Sequence, residues 1–231
     1  MASDTRSTDS GRRRRTVDAL LDRCGRTYAA DAGIRVRDTP QPLYQLLVLA
    51  LLLSARIRAS TAVDAARALF DDGLRSPRRM ADADWQRRVD ALGRGHYRRY
   101  DERTATQLGD GARFLLDTYR GDLRRLREAA GKGPGEGAGA LSGLLQEVPG
   151  LGPTGADIFL REVQGVWPDV APYIDRKAVQ GAERIGLPGS AGALARLAAG
   201  RDPAVLAAAL VRVALDRDLA GEVTAAAGAG G

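Results

Sequence analysis

Between Thr39 and Ile57 the chain reads TPQPLYQLLVLALLLSARI, and up to Ala55 it is apolar on nearly every side of a helical wheel. Pro42 suits the first turn of a helix, where a missing amide costs nothing. A helix with no polar face must be covered on all sides by other elements. Its longest unbroken apolar run, Leu46 to Leu53, is far short of the roughly 20 residues that cross a bilayer. The stretch therefore predicts a central buried helix, and the rest of the chain must supply its cover.

That cover reads as more helix. Val17, Leu20, Leu21 and Cys24 fall at i, i+3, i+4 and i+7, the period of an amphipathic helix. STAVDAARALF predicts another, with Ser60 or Thr61 as its cap. Trp85, Val89 and Leu92 mark a short helix; Leu108, Ala112, Leu115 and Tyr119 mark a longer one. Leu141 to Val148, Ala156 to Val163, Asp175 to Ile185 and Asp202 to Asp216 continue the series, the last with Asp202 as cap and Pro203 in the first turn. No segment alternates over several β-branched residues, so the fold class is all-α. Residues 1–15 read as a disordered basic tail, 16–222 as one helical domain and 223–231 as a frayed tail. GKGPGEGAG at 131–139 reads as a flexible loop, because its glycines carry too much backbone entropy to order cheaply.

Composition bounds the chemistry. Of 35 basic residues only Lys132 and Lys177 are lysine, and the formal charge is +6 with a pI near 10.0. A phosphate-rich partner would suit that balance, and so would a genome that favours GC-rich codons. Cys24 is alone, which excludes an intrachain disulfide and a four-thiolate zinc or iron–sulfur site. His96 is the single histidine, which excludes a multi-histidine metal centre. With no signal-like apolar core after GRRRR, a cytoplasmic protein is expected, nucleoid-associated if bacterial.

VPGLGPTGAD, Val148 to Asp157, packs three glycines and two prolines between two helical patterns. Gly150 and Gly152 can take positive φ and reverse the chain in few residues. The amides of Leu151, Gly152, Thr154 and Gly155 would then surround the start of the second helix, and such a terminus attracts anions. Phosphate contacts of this kind fix position and read no sequence. The same residues also make an ordinary glycine-capped turn.

Four stretches together carry a resemblance. LLLSARI (51–57), RYDERTA (99–105), VPGLGPTGADIFL (148–160) and APYIDRKAV (171–179) are similar, in this order, to segments of the endonuclease III-like branch of the helix-hairpin-helix DNA glycosylase superfamily. The similarity runs from about residue 40 to 187 and implies a two-lobed helical glycosylase fold, with the helix-hairpin-helix at about 140–165. It implies double-stranded DNA as partner, a monomer, and excision of a damaged or mismatched base. Asp175, opening a helix, matches the catalytic aspartate that stabilises an oxocarbenium-like sugar and activates water; it also reads as a plain N-cap. Arg56 matches the residue that fills the gap behind a flipped nucleotide. His96 and Tyr97 fall in GRGHYRRY, the second wedge loop. Arg56 also reads as a solvated arginine, and Tyr97 or Tyr100 as a core aromatic. Arg94, Arg98, Arg99 and Arg103 read as phosphate contacts or as a solvated face.

Two departures shape the expected activity. Thr154 stands where bifunctional members carry the lysine that forms a Schiff base, and threonine cannot. Lys177 lies two residues from Asp175, and positions two apart on a helix do not share a face. The expectation is a monofunctional glycosylase without lyase activity; the alternative is a catalytically inactive DNA-binding protein on the same scaffold, and a helical protein with a partner groove is a third option. One cysteine leaves no iron–sulfur cluster, so no cofactor is expected, while a monovalent cation at the hairpin remains open. The alanine-rich helices after Pro188 would cover the core in the cluster's stead. The stretch GVWPDVAPY (165–173) reads as extra residues between hairpin and aspartate, with features that lean toward the alkyladenine glycosylase branch.

Overall fold

The computed structural model describes residues 2–131 and 136–229. The chain runs through α1 (Ala2–Cys24), α2 (Tyr28–Asp31), α3 (Pro40–Leu53), α4 (Ala59–Asp71), α5 (Pro77–Asp82), α6 (Trp85–Arg94), α7 (Asp101–Tyr119), α8 (Leu123–Ala129), α9 (Glu136–Gln146), α10 (Pro153–Val163), α11 (Arg176–Arg184), α12 (Ala191–Leu197), α13 (Pro203–Leu215) and α14 (Arg217–Ala229). No strand occurs among the described residues, so the fold is all-α. None of these helices is long and apolar enough to cross a membrane.

The chain divides into two compact units. Residues 28–170 form one; residues 1–27 and 171–231 form the other. The first is built on α3, which begins at Pro40 after Thr39 and buries Leu43, Leu46, Leu49 and Leu52 completely. It packs against α4, α10 and α8, the all-round cover its sequence demands. Helix α4 starts at Ala59 behind Arg58, whose side chain makes no cap bond, so Ser60 and Thr61 lie inside the helix. Three short helices, α2, α5 and α8, escape the periodicity argument. Ser76 caps α5 through Arg79 N (3.3 Å), with Pro77 in the first turn, and Asp122 caps α8 through Arg124 N.

Arg88 of α6 ties this unit together from within. It is buried and donates to the carbonyls of Ala105 (2.8 Å), Met80 (3.0 Å) and Ala83 (2.6 Å). Gly109 of α7 makes the room: a Cβ there would lie 2.8 Å from the guanidinium carbon. The stretch after α10 is anchored the same way. Trp167 is fully buried, lies edge-on to Phe159, and donates Nε1–H to Asp38 at 2.9 Å. Arg127 stacks over its ring at 5.0 Å and pairs with Asp169.

The second unit rests on α11 against α13, with α1 packed on α13 and α14. Gly181 of α11 meets the backbone of α13, for a Cβ there would fall 1.8 Å from the Leu210 carbonyl oxygen. Both tails differ from expectation. Helix α1 already begins at Ala2, and α14 continues to Ala229 with Val223 and Ala227 buried. The amphipathic turns from Thr16 onward pack on α13 and α14, and a helix nucleated there extends outward at low cost. The expected glycine loop at 131–139 falls at 132–135 outside the described residues, and α9 already begins at Glu136.

Candidate nucleic-acid interface

The joint between α9 and α10 is a tight elbow, and each glycine has its own reason. Gly150 has φ +88°, and a Cβ would meet the Gln107 side chain at 2.7 Å. Gly152 is the N-cap of α10 with φ −88°, ordinary extended backbone, so the expected positive φ holds only at Gly150. A Cβ on Gly152 would meet nothing within 4 Å; its glycine leaves the surface low. Gly155 is buried against Leu151, and a Cβ would lie 2.7 Å from Leu151 Cδ1 and 3.6 Å from Ser54 Cβ. Leu151 is the elbow's apolar anchor at 2% exposure, and its amide donates to the Val148 carbonyl at 3.0 Å. It is therefore spent on the turn and does not join the outward set expected for it. Gly152, Pro153 and Thr154 are exposed. Among the described residues no hydrogen bond reaches the amides of Gly152, Thr154 and Gly155. An uncapped helix start of this kind presents partial positive charge.

The contact between Gly155 and Ser54 places the elbow beside the end of α3, and Arg56 follows two residues later. There the chain opens a depression of about 510 Å³ lined by Arg56, Arg58, Thr61, His96, Arg98 and Arg99. Arg56 and the expected wedge loop around His96, singled out separately from sequence, thus line one depression. Gly95 joins them: a Cβ on it would lie 2.3 Å from Ala65 Cα of α4. Arg56, His96, Arg98 and Arg99 are exposed, and no ion pair among the described residues involves these arginines. Arg103 is exposed as well, whereas Arg94 is committed to Asp72 at 2.6 Å.

The loop is strained. His96 and Tyr100 are non-glycine residues with φ +60° and +77°, a conformation that costs energy and must be held by its surroundings. Tyr97 supplies the hold. It is 2% exposed, its hydroxyl shares a hydrogen bond with Thr104 Oγ1 at 3.2 Å, and burial pushes its phenol up from the ordinary range. Tyr97 is thus a core residue under the depression and not a side chain projecting from it. The projecting aromatic is Tyr100, 40% exposed, with the Arg99 guanidinium 5.1 Å over its ring. Sequence did not distinguish the two, since what separates them is the bond from Tyr97 to Thr104, seven residues on. Arg58 was also missed; its proximity to Arg56 was the available signal.

Asp175 belongs to the other unit. It is the N-cap of α11, its Oδ1 accepts the Ala178 amide at 2.8 Å, and it is 6% exposed. Lys177 is exposed and donates to Gln180 at 3.1 Å. Among the described residues no group of three or more histidine, cysteine, aspartate or glutamate side chains is placed to hold a metal.

No family model matches the chain, and no curated protein does. A solved structure of a trapped endonuclease III–DNA covalent intermediate, an estranged-adenine complex, is similar over 85% of this chain and 82% of that chain, at 16% identity and a TM-score of 0.48. That overlap is too loose to carry over the role of any residue.

Proposed function

We propose that the chain binds duplex DNA and is a monofunctional DNA glycosylase of the helix-hairpin-helix kind. In this reading it hydrolyses the N-glycosidic bond of a damaged or mismatched base. The observation that carries the reading is the elbow: an exposed glycine rim with unspent amides at the start of α10, against the end of α3, after which an arginine-lined depression opens whose arginines have no acidic partner among the described residues. Main-chain donors and unpaired arginines both suit a phosphate backbone. The ordered motifs of the sequence add the catalytic part. Asp175 would stabilise the developing positive charge on the sugar and orient water. Arg56 and Tyr100 would occupy the space left by an extruded nucleotide.

Thr154 cannot form an imine, so the proposal includes no strand cleavage, and borohydride trapping on abasic DNA should yield no covalent complex. With Cys24 the single thiol of the chain, the proposal includes no iron–sulfur cluster. The second reading, a DNA-binding protein without chemistry, is favoured by the cap bond that already occupies Asp175 Oδ1.

A panel of duplexes carrying uracil, oxidised pyrimidines, 8-oxoguanine mismatches and alkylated purines separates the two readings, with hot alkali to reveal abasic sites. Asp175→Asn keeps a cap acceptor, so the fold should hold. The enzyme reading expects excision to fall by at least about 100-fold while duplex affinity stays. A wild-type chain that binds every duplex and excises from none selects the binder. Binding to none, or binding insensitive to salt, removes both.

A further inference from the structure

The second unit has a basic concavity that the proposed reaction does not use. We propose that the groove between α1 and α12 is a second phosphate-backbone contact for nucleic acid, separate from the elbow; this rests on the DNA-binding reading above. The groove holds about 410 Å³, with Asp9, Arg13 and Arg14 of α1 on one side and Arg196 of α12 on the other, and Pro188 and Leu197 among its apolar walls. Its single acid is already committed. Asp9 pairs with Arg13 at 2.7 Å and with Arg12 at 3.3 Å. Arg14 and Arg196 are exposed, and no ion pair among the described residues involves either. Arg13 Nε is buried and has no hydrogen-bond partner among the described residues.

Three guanidinium groups therefore face a concave, partly apolar space against one neutralised carboxylate. Concave low-dielectric walls concentrate the field of such charges. The guanidinium fork matches phosphate oxygens in pairs. A lipid surface is the poorer fit. Val17, Leu20 and Cys24 of α1 are buried, so these positions give the helix no apolar stripe to insert beside the arginines. Residues expected to form a loose basic tail instead present their charges from a helix.

The test uses the full chain, the double variant Arg14→Ala/Arg196→Ala, and a labelled duplex followed by anisotropy. Each lost phosphate contact lowers the slope of log affinity against log salt by about 0.9, so the double variant should lose about 1.8. Its affinity deficit should then shrink about 12-fold between about 50 and about 200 mM salt. Both side chains are exposed, so the melting temperature should not move, and a shifted melt is checked by Arg→Gln replacements at the same positions. An unchanged slope, with wild type binding the duplex and Thr154→Glu weakening it, overturns this inference and leaves the elbow standing. Wild-type capture by phosphatidylserine vesicles that the double variant abolishes, with the duplex slope unchanged, overturns it in favour of a lipid partner. A wild-type chain with no duplex affinity overturns both.

Discussion

Replacing Thr154 by glutamate separates a phosphate-binding elbow from a merely structural turn, because the two roles respond with opposite signs. Thr154 is exposed in the first turn of α10, behind the N-cap Gly152 and Pro153. A carboxylate there faces the positive end of the helix and stabilises it by about 0.3–1 kcal/mol. The protein should melt at the same temperature or slightly higher. A DNA phosphate docked on the neighbouring amides would meet that carboxylate at a distance of about 5 Å. Coulomb repulsion at this separation is about 0.8 kcal/mol with the dielectric of water and about 3.3 kcal/mol with an effective value of about 20. Duplex affinity should thus fall between about 4-fold and about 270-fold, more at low salt. Thr154→Gln controls for size and should stay near wild type. Anisotropy on one duplex at two salt concentrations reads the effect, beside a thermal melt. If the glutamate variant binds within twofold of wild type while its melt is unchanged, the elbow is not a phosphate site.

Two further outcomes concern stability. Gly181→Ala would place a methyl group 1.8 Å from the Leu210 carbonyl oxygen, and α11 must then move off α13; chemical denaturation should show a loss of about 1–3 kcal/mol or more, the cost of overpacking a close contact. Burial pushes the Cys24 thiol from 9.0 up to about 11, so between those values the unfolded chain releases a proton that the folded chain keeps. Stability should be intact below pH 9 and decline as pH rises toward 11. Cys24→Ala should flatten that part of an alkaline melting series, and a series that stays equally steep would show that another group controls it.

What the sequence made legible is what local rules govern. The apolar wheel of α3, the proline and aspartate starts of α3 and α13, and the glycine elbow depend on residues within a turn of one another. The short helices α5 and α8 were missed because six or seven residues hold too few apolar positions to show a period, although their caps Ser76 and Asp122 are plain in hindsight. The spent amide of Leu151 depends on a turn bond that composition does not announce. The distinction between Tyr97 and Tyr100 depends on Thr104 and on the backbone angle of residue 100. The meeting of Arg56 with the His96 loop depends on Gly95 lying against Ala65. Each of these is a long-range or conformational fact, and periodicity carries no information about either.

Asp175 shows how a local rule can conceal a question. Among the described residues five aspartates cap helices through their side chains: Asp84 to Arg87 N at 2.7 Å, Asp122 to Arg124 N at 3.0 Å, Asp175 to Ala178 N at 2.8 Å, Asp202 to Ala204 N at 2.8 Å and Asp216 to Asp218 N at 3.0 Å. Asp84, Asp202 and Asp216 are exposed and Asp122 is half-buried; Asp175 alone of the five is buried. Capping needs a side-chain oxygen near an amide and gains nothing from removing the carboxylate from water, which carries a desolvation cost. The exposed caps of α6 and α13 do the same structural work without that cost. In the glycosylase reading proposed above, that burial would serve to orient the carboxylate. The bond to Ala178 N fixes the plane of the carboxyl group, and Gly181 holds α11 hard against α13. If the proposed reading holds, a carboxylate that meets a sugar at one atom uses that restraint, and Asp175→Asn should cost excision and leave the melting temperature near wild type.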